Sequence, residues 1–133
     1  MIDQEKKSPG VFIWVTHDLI NLKELKEILC KLNVKNLVKF KQEPCILHIA
    51  CKTLRDAQEL INKSKLAGFK IAGIIATGRR FVVELMNTEK LEFPVMDNGK
   101  ILVSDDFLKV IVKKSNENLK KSWEKIERLG KLL

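Results

Sequence analysis

The sequence predicts an α+β fold, with a mixed β-sheet, helices packed on it and a long C-terminal helix. Three observations predict this class. Strand-like and helix-like segments follow one another in the order strand, helix, strand, strand, helix, strand, which resembles a split β-α-β arrangement. A last amphipathic stretch then runs to the C-terminus. The chain has 133 residues, of which 45% are hydrophobic, so it can fill one ordinary core.

The first half of the chain supports this prediction with a strand, a helix and two further strands. Residues 1–10 are a polar leader, and Val11–Thr16 has the β-branched and aromatic content of a strand. Asn21 is the expected N-cap of a helix of about three turns, because leucine and isoleucine recur after it at helical spacing. Residues 37–42 and 45–51 predict two strands that form a hairpin or a bent pair, since the proline between them can end one ladder and start the next.

The middle of the chain predicts a helix followed by a hairpin. Thr53 is the expected N-cap of this helix, and Gly68 is expected as a left-handed cap at its end. Residues 69–77 and 80–86 have strand-like composition and flank Gly78-Arg79, which is typical of a β-hairpin with arginines at its tip.

The last third predicts a short hairpin and the long helix. Strands near residues 91–95 and 100–103 are joined by Asp97-Asn98-Gly99, a strong turn signal. Ser104 and two aspartates mark the start of the helix. At about 1.5 Å per residue the helix would span roughly 43 Å, so a domain of this size is expected to leave part of its apolar stripe uncovered. The residues that continue this stripe toward the C-terminus are Leu119, Trp123, Ile126, Leu129 and Leu133.

The charge, the apolar runs and the cysteines of the sequence indicate what kind of partner and what cellular location to expect. The 25 Lys and Arg residues exceed the 17 Asp and Glu residues, and the net charge of +8 indicates a polyanionic partner. This excess is spread along the chain, so an RNA-binding face must be assembled by folding. No apolar run approaches the roughly 20 residues that span a bilayer, and a secretory signal is not found, so a soluble cytoplasmic protein is expected. The three cysteines include no Cys-x-x-Cys pair and predict neither a disulfide framework nor a metal site, and Cys45 and Cys51 are expected as small core residues.

The residues that can carry chemistry are two histidines, a glutamate and two arginines, because the common hydrolase, kinase and dinucleotide signatures are absent. His17 follows a strand end and is either a substrate-binding group or a surface histidine that caps a turn. His48 lies in mid-strand and is either satisfied within the core or lines a pocket above the sheet. Glu43 is a solvated loop acid or a site residue, and Arg79 and Arg80 are either phosphate ligands or solvated.

The run Glu43–Cys51 (EPCILHIAC) is the most specific motif, and further matching residues lie on both sides of it. They are Trp14-Val15-Thr16-His17, Ala57, Leu60, Ala67-Gly68-Phe69-Lys70, Gly73, Leu91-Glu92-Phe93-Pro94, Gly99-Lys100-Ile101-Leu102-Val103-Ser104 and Asn116. Over residues 10–129 the sequence resembles the tRNA wybutosine-synthesising methyltransferase family, the third enzyme of that pathway. The resemblance implies a single domain of this type over residues 11–133. It also implies transfer of a methyl group from S-adenosylmethionine to a ring-adjacent nitrogen of the tricyclic guanosine derivative beside the anticodon of phenylalanine tRNA.

The resemblance also implies a site. His17, Glu43, His48 and Arg80 are expected around the cofactor and the modified base, where catalysis would be mainly positioning of the methyl donor and the amine. Arg79 and Arg80 are expected on the tRNA. No metal is expected, and no catalytic residue is assigned.

Two features depart from the family pattern. The family's N-terminal Ser-Ser-Cys-Ser-Gly-Arg motif is not found in this sequence, and Met86-Asn87 stands where the family has an arginine followed by serine or threonine. Loss of that guanidinium removes a charge-assisted donor for a carboxylate or phosphate. The alternative function is therefore a truncated, catalytically incompetent tRNA-binding or accessory paralogue. A homodimer or a complementary chain is expected to cover the C-terminal helix.

Overall fold

The computed structural model describes residues 2–4 and 12–133, and within these ranges the chain forms eight strands and three helices. In chain order they are β1 (Ile2–Gln4), β2 (Phe12–Trp14), α1 (Leu22–Lys31), β3 (Val38–Gln42), β4 (Ile46–Cys51), α2 (Leu54–Ala67), β5 (Ile71–Ala76), β6 (Phe81–Met86), β7 (Leu91–Asp97), β8 (Lys100–Ile101) and α3 (Asp105–Leu132). The α+β class and the long C-terminal helix are confirmed. The strands lie in two sheets, within which the pairings are antiparallel.

The chain divides into two compact units. The first unit consists of Met1–Glu43 and Lys90–Leu119, and the second consists of Pro44–Glu89 and Lys120–Leu133. Residues of α3 therefore belong to both units. Within the described ranges, no helix combines the length and the apolar content that a bilayer crossing needs.

The first unit contains the five-stranded sheet, in the order β2-β1-β3-β7-β8. This sheet, α1 and the first part of α3 share one core. The core consists of Ile2, Leu25, Leu29, Val38, Phe40, Val95, Met96, Leu108, Ile111 and Val112. Asn116 fixes the loop before α1, because its amide accepts from the backbone N–H of Ile20 at 3.0 Å and donates to the carbonyl of Ile20 at 2.7 Å. Asn116, which is part of the family resemblance, thus has a structural role.

The second unit contains the three-stranded sheet, in the order β4-β6-β5, with β6 at its centre. The helix α2 and Leu129 of α3 pack on one face of this sheet. The buried core consists of Ala57, Leu60, Ile61, Ala67, Phe69, Val83, Leu85 and Leu129. Cys45 and Cys51 pack against this core, and burial raises the pKa of the Cys45 thiol.

Local signals in the sequence set the ends of several elements. The side chains of Asn21 and Thr53 accept hydrogen bonds from the first turns of α1 and α2, as N-caps do. Gly68 ends α2 with a φ of 107°, a conformation that L side chains rarely adopt. The turn between β7 and β8 contains Asn98 and Gly99 with φ values of 48° and 77°, which suits a tight hairpin. These predictions are confirmed.

Other predictions need correction. The residues Ile2–Gln4, assigned to a polar leader, form β1, a strand too short to leave a periodicity in the sequence. The predicted pairing of residues 37–42 with 45–51 is wrong, because β3 pairs with β1 and β7 while β4 pairs with β6. Of the stripe residues of α3, Leu129 is covered, since it is 3% exposed within the second core. Val11, the predicted start of β2, lies outside the described residues.

Candidate functional site

The sheet of the second unit has one covered face and one open face. Along β4, Leu47 and Ile49 pack against the core, whereas Ile46, His48 and Ala50 are exposed on the other side. This alternation follows from the two-residue period of a strand. We call the outward surface of β4, β5 and β6 the open face.

Strand register arranges the open face in three cross-strand rows. The central row consists of His48, Glu84 and Gly73, which lie opposite one another on β4, β6 and β5. The flanking rows are apolar, and they consist of Ile46, Met86 and Ile71 on one side and of Ala50, Val82 and Ala76 on the other. The open face therefore carries a polar pair between two apolar rows.

His48 and Glu84 form a direct side-chain contact. The distance from His48 Nε2 to Glu84 Oε2 is 2.8 Å, and the two side chains are 55% and 34% exposed. Of the two alternatives for His48, burial within the core does not occur, and the ring has a polar partner on the exposed side of the sheet. Because a carboxylate only accepts hydrogen bonds, Nε2 of His48 donates here, and in the neutral ring Nδ1 then carries the lone pair.

Gly73 occupies the third position of the central row. A Cβ built at this glycine would meet no atom within 4 Å, so the surface beside Glu84 is open at this point. Gly73 is in the interior of β5, and the irregularity of that strand lies further along, between Ile74 and Ala76. Space to approach the backbone is therefore available next to the His48–Glu84 pair.

Two arginines lie at the end of the same sheet. Arg79 and Arg80 are exposed in the turn between β5 and β6, where Gly78 has a φ of 140°. The predicted hairpin with arginines at its tip is confirmed. Exposed guanidinium groups at such a position can bind phosphate in a bidentate manner.

His17 and Glu43 belong to the first unit. His17 is exposed in the bend that follows β2. Glu43 is exposed between β3 and β4, and its backbone carbonyl accepts a hydrogen bond from Gln42 Nε2 at 2.9 Å. The convergence of these two residues with His48 on one site remains a prediction.

Sequence reasoning missed Glu84 and Gly73 as members of the candidate site. A signal was present, because Glu84 is the one charged residue in the otherwise apolar strand β6, FVVELM. Its pairing with His48 depends on the register between two strands separated by a helix and a further strand, which the sequence does not show.

Asn87, at the end of β6, has a structural role. This residue is 1% exposed, and its Oδ1 accepts from the backbone N–H of Cys45 at 2.8 Å. Its Nδ2 donates to Ser122 Oγ of α3 at 2.6 Å. The neighbouring Met86 is half-buried on the open face, at the position where the family resemblance leads one to expect arginine.

A nearly buried ion pair connects α3 with the segment after β6. Lys125 Nζ lies 2.6 and 2.8 Å from the two carboxylate oxygens of Glu89, and the side chains are 10% and 18% exposed. Burial raises the pKa of Glu89, but hydrogen bonding and charge attraction from Lys125 outweigh burial, so the pKa lies below its ordinary value. The stem of Lys125 also lies against Gly68, where an added Cβ would stand 3.0 Å from Cε.

A groove of about 550 Å³ borders α1 in the first unit. Its described lining residues are Leu22, Lys23, Lys26, Glu27 and Cys30. Lys26 Nζ is paired with the carboxylate of Asp105 at 2.6 Å, and both Lys23 and Glu27 are exposed along the helix. The groove has the volume of a small-molecule site and offers charges of both signs.

Comparison with known proteins assigns the chain to a family. The family described as Methyltransferase TYW3 matches residues 2–133. A relative from Archaeoglobus fulgidus, named tRNA(Phe) 7-((3-amino-3-carboxypropyl)-4-demethylwyosine(37)-N(4))-methyltransferase, is 33% identical over all of this chain and 68% of its own length. A Pyrococcus horikoshii protein with the same name, numbered 1, is 32% identical over 85% of this chain and 58% of its own length. The Xenopus laevis tRNA wybutosine-synthesizing protein 3 homolog is 31% identical over 92% of this chain. The chain spans between 48% and 68% of the length of these three relatives.

Solved structures share the fold. A Pyrococcus horikoshii OT3 protein superposes with a TM-score of 0.84 at 28% identity, over 96% of this chain and 65% of that one. A hypothetical protein from Aeropyrum pernix, 22% identical, has a TM-score of 0.83 over 98% of this chain and 80% of that one, and it shows the fold alone. The match over residues 2–133, together with the identity to curated relatives, establishes the assignment. The chain belongs to the TYW3 methyltransferase family.

Proposed function

We propose that this protein methylates the tricyclic guanosine derivative beside the anticodon of phenylalanine tRNA, with S-adenosylmethionine as the methyl donor. The observation that carries this proposal is the family match over residues 2–133, with relatives named for N(4)-methylation of a demethylwyosine base in tRNA(Phe). The net charge of +8 supports a polyanionic partner. A cytoplasmic location remains a prediction.

The side chains proposed for the reaction are those expected from the sequence. His17, Glu43, His48 and Arg80 hold the methyl donor and the modified base, and Arg79 and Arg80 bind tRNA phosphates. Catalysis then consists mainly of holding the ring nitrogen in line with the methyl group, since orientation alone can remove a large part of the barrier. Among these residues, His48 has the best-defined geometry, because Glu84 fixes its ring at 2.8 Å.

When bound, S-adenosylmethionine would supply a methyl group on a positively charged sulfur.

A methyl-transfer assay tests the proposal. The protein is incubated with methyl-labelled S-adenosylmethionine and phenylalanine tRNA that carries the demethylated tricyclic base, and the nucleosides are then analysed by mass spectrometry. We expect one added methyl group on the tricyclic base, and no product when the same tRNA carries guanosine at that position. Calorimetric titration with S-adenosylmethionine gives a separate measure of donor binding.

The second candidate is a tRNA-binding or accessory protein without catalysis. The observation that favours it is Met86 on the open face, where the family resemblance leads one to expect a guanidinium. Tight binding of the precursor tRNA, combined with neither donor binding nor methyl transfer, would support this candidate and contradict the first.

A further inference from the structure

We infer that the open face is the platform for the planar modified base, which lies over Gly73 with one edge beside the Glu84–His48 pair. This inference rests on the proposed function, and it adds where the base binds and how the protein distinguishes it from the methylated product. Four observations on the second unit carry it: an unexplained glycine, two apolar rows, a positioned imidazole and two nearby arginines.

Gly73 has no structural explanation within the fold. Glycine in the interior of a strand weakens the strand, and it usually marks a bulge or a place where a ligand approaches the backbone closely. Gly73 is outside the irregular part of β5, its φ is not in the left-handed region, and no atom stands within 4 Å of where its Cβ would be. Close approach of a ligand is the remaining reason for glycine at this position.

The rows on both sides of Gly73 are apolar and exposed. Ile46 and Ile71 are 48% and 46% exposed in one row, and Ala50 and Ala76 are exposed in the other. Exposed aliphatic groups around a flat backbone surface favour a flat, weakly hydrated ligand, since burying them is favourable only if the ligand is itself apolar on its faces. A tricyclic heteroaromatic base has this shape and this polarity.

The imidazole of His48 provides the polar contact at the edge of the platform. With Nε2 donating to Glu84, the neutral ring presents Nδ1 as a hydrogen-bond acceptor. The nitrogen to be methylated carries a hydrogen in the demethylated base and none in the product. A base with its N–H directed at Nδ1 is therefore bound in the demethylated form, and the methylated form loses this hydrogen bond.

The arginines give the open face a charge that suits a nucleotide chain. Arg79 is six residues along the hairpin from Gly73, which corresponds to at most about 20 Å at roughly 3.3 Å per residue, since β5 ends at Ala76. This distance is a few nucleotides of an extended strand, so phosphates flanking the bound base can reach the exposed guanidinium groups. The apolar rows thus suit the base, and the hairpin tip suits the sugar-phosphate backbone of the tRNA.

A binding experiment with three forms of phenylalanine tRNA tests the inference. The forms carry the demethylated tricyclic base, the methylated tricyclic base or guanosine at the same position, and affinity is measured by fluorescence anisotropy. The variants are Gly73→Val, which places a branched side chain on the platform, and Glu84→Gln, whose amide can donate as well as accept, so that His48 is no longer held with Nε2 as the donor. Gly130→Ala in α3 is the matched control, because this glycine also has open space around its Cβ position.

For the wild type we expect preference for the demethylated form. Gly73→Val should lower the preference for the demethylated base over guanosine at least about tenfold. It should not lower the melting temperature, because valine suits a strand and its Cβ meets no neighbour. Glu84→Gln should reduce the preference over the methylated form by roughly three- to tenfold, the usual range for one hydrogen bond. Gly130→Ala should change neither preference.

The outcomes separate this inference from the proposed function. A wild type that does not distinguish the tricyclic base from guanosine would contradict the proposed function, and the inference with it. A wild type that does distinguish them, together with a Gly73→Val variant that keeps the full preference, would overturn the platform while leaving the proposed function intact. Reduced binding of all three tRNAs by Gly73→Val would likewise overturn it, because the effect would not depend on the base.

Discussion

Asn87 is fully buried, and its side-chain amide is hydrogen-bonded at both ends, to Cys45 and Ser122. At the scale of single residues, each hydrogen bond of such a group adds little net stability to the fold. The larger effect is that its buried partners would be left unsatisfied without it. Asn87 occupies a position at which the family resemblance leads one to expect serine or threonine. The amide reaches two partners, one on β4 and one on α3.

We expect Asn87→Ala to lower the free energy of unfolding by about 1 to 3 kcal/mol, because it leaves the part-buried Cys45 N–H and the buried Ser122 hydroxyl without this partner. Urea denaturation followed by circular dichroism measures the change. The control is Asn62→Ala, an exposed asparagine on α2, which should stay within about 0.5 kcal/mol of the wild type. Equal effects of the two substitutions would contradict the role assigned to Asn87.

Glu89 makes stability depend on pH. Because its pKa is lower in the folded protein than the value of 4.5 expected when unfolded, ionised Glu89 stabilises the fold above about pH 4.5, and this contribution is lost as the pH falls through the folded pKa. We expect Glu89→Gln to be destabilised relative to the wild type by about 1 to 3 kcal/mol at pH 7. The difference should shrink steadily in urea titrations below pH 4.5. A difference that is constant from pH 7 to pH 3 would show that the ion pair with Lys125 does not contribute.

At the scale of elements, the sequence predicts the helix ends and turns that are set by hydrogen bonds between residues close together in the chain. Asn21, Thr53 and Gly68 mark helix ends, because each satisfies backbone groups within a few residues of itself. The turn at Asn98-Gly99 is equally local. Strand pairing is different. Along the chain, β3 and β7 are separated by the segment Pro44–Glu89, and the sequence contains no signal that the two strands pair.

The same distinction applies to the candidate site. Arg79 and Arg80 could be placed at a hairpin tip from Gly78 and the flanking strand composition, and the structure confirms this placement. The partner of His48 could not be predicted, because Glu84 is brought to it by register across two strands that are distant in sequence. Strand alternation does place His48 on the face opposite Leu47 and Ile49, but the sequence left open whether that face is covered.

The hairpin formed by β5 and β6 gives a prediction about tRNA binding. Replacing Arg79 and Arg80 by alanine should weaken binding to all tRNA sequences alike and flatten the dependence of log affinity on log salt by roughly one to two units, since each lost phosphate contact releases about one counterion fewer. Filter binding at several salt concentrations measures the slope. The charge-matched control is Arg55→Ala with Lys65→Ala on α2, both exposed, which should leave the slope unchanged. An unchanged slope for the hairpin variant would exclude the tip from the RNA-binding surface.

At the scale of the whole molecule, α3 leaves apolar side chains in water. Trp123 and Ile126 are 44% and 39% exposed and lie one turn apart on the helix. Exposed tryptophan with an aliphatic neighbour is typical of protein interfaces. We therefore propose that a second copy of this chain covers these residues.

Sedimentation equilibrium at micromolar concentration tests this proposal. We expect a dimer for the wild type and at least about tenfold weaker association for Trp123→Ala, because a central aromatic residue commonly contributes more than 1 kcal/mol to an interface. The control is Leu66→Ala, which removes a side chain of α2 that is 76% exposed and should leave association unchanged. A wild type that is strictly monomeric would contradict the proposal.

The path of the chain through the two units also sets an order in which they can form during synthesis. The β5–β6 hairpin closes over a few residues, and the segment Pro44–Glu89 leaves the ribosome before β7 has been made. The first unit must wait for β7 to pair with β3 across that whole segment. The helix α3 is translated after both sheets, and it delivers Leu108 to one core and Leu129 to the other. Vectorial synthesis therefore leaves both units without part of their core until α3 emerges, so a ribosome stalled before α3 would present two incomplete units to the cell's chaperones and proteases.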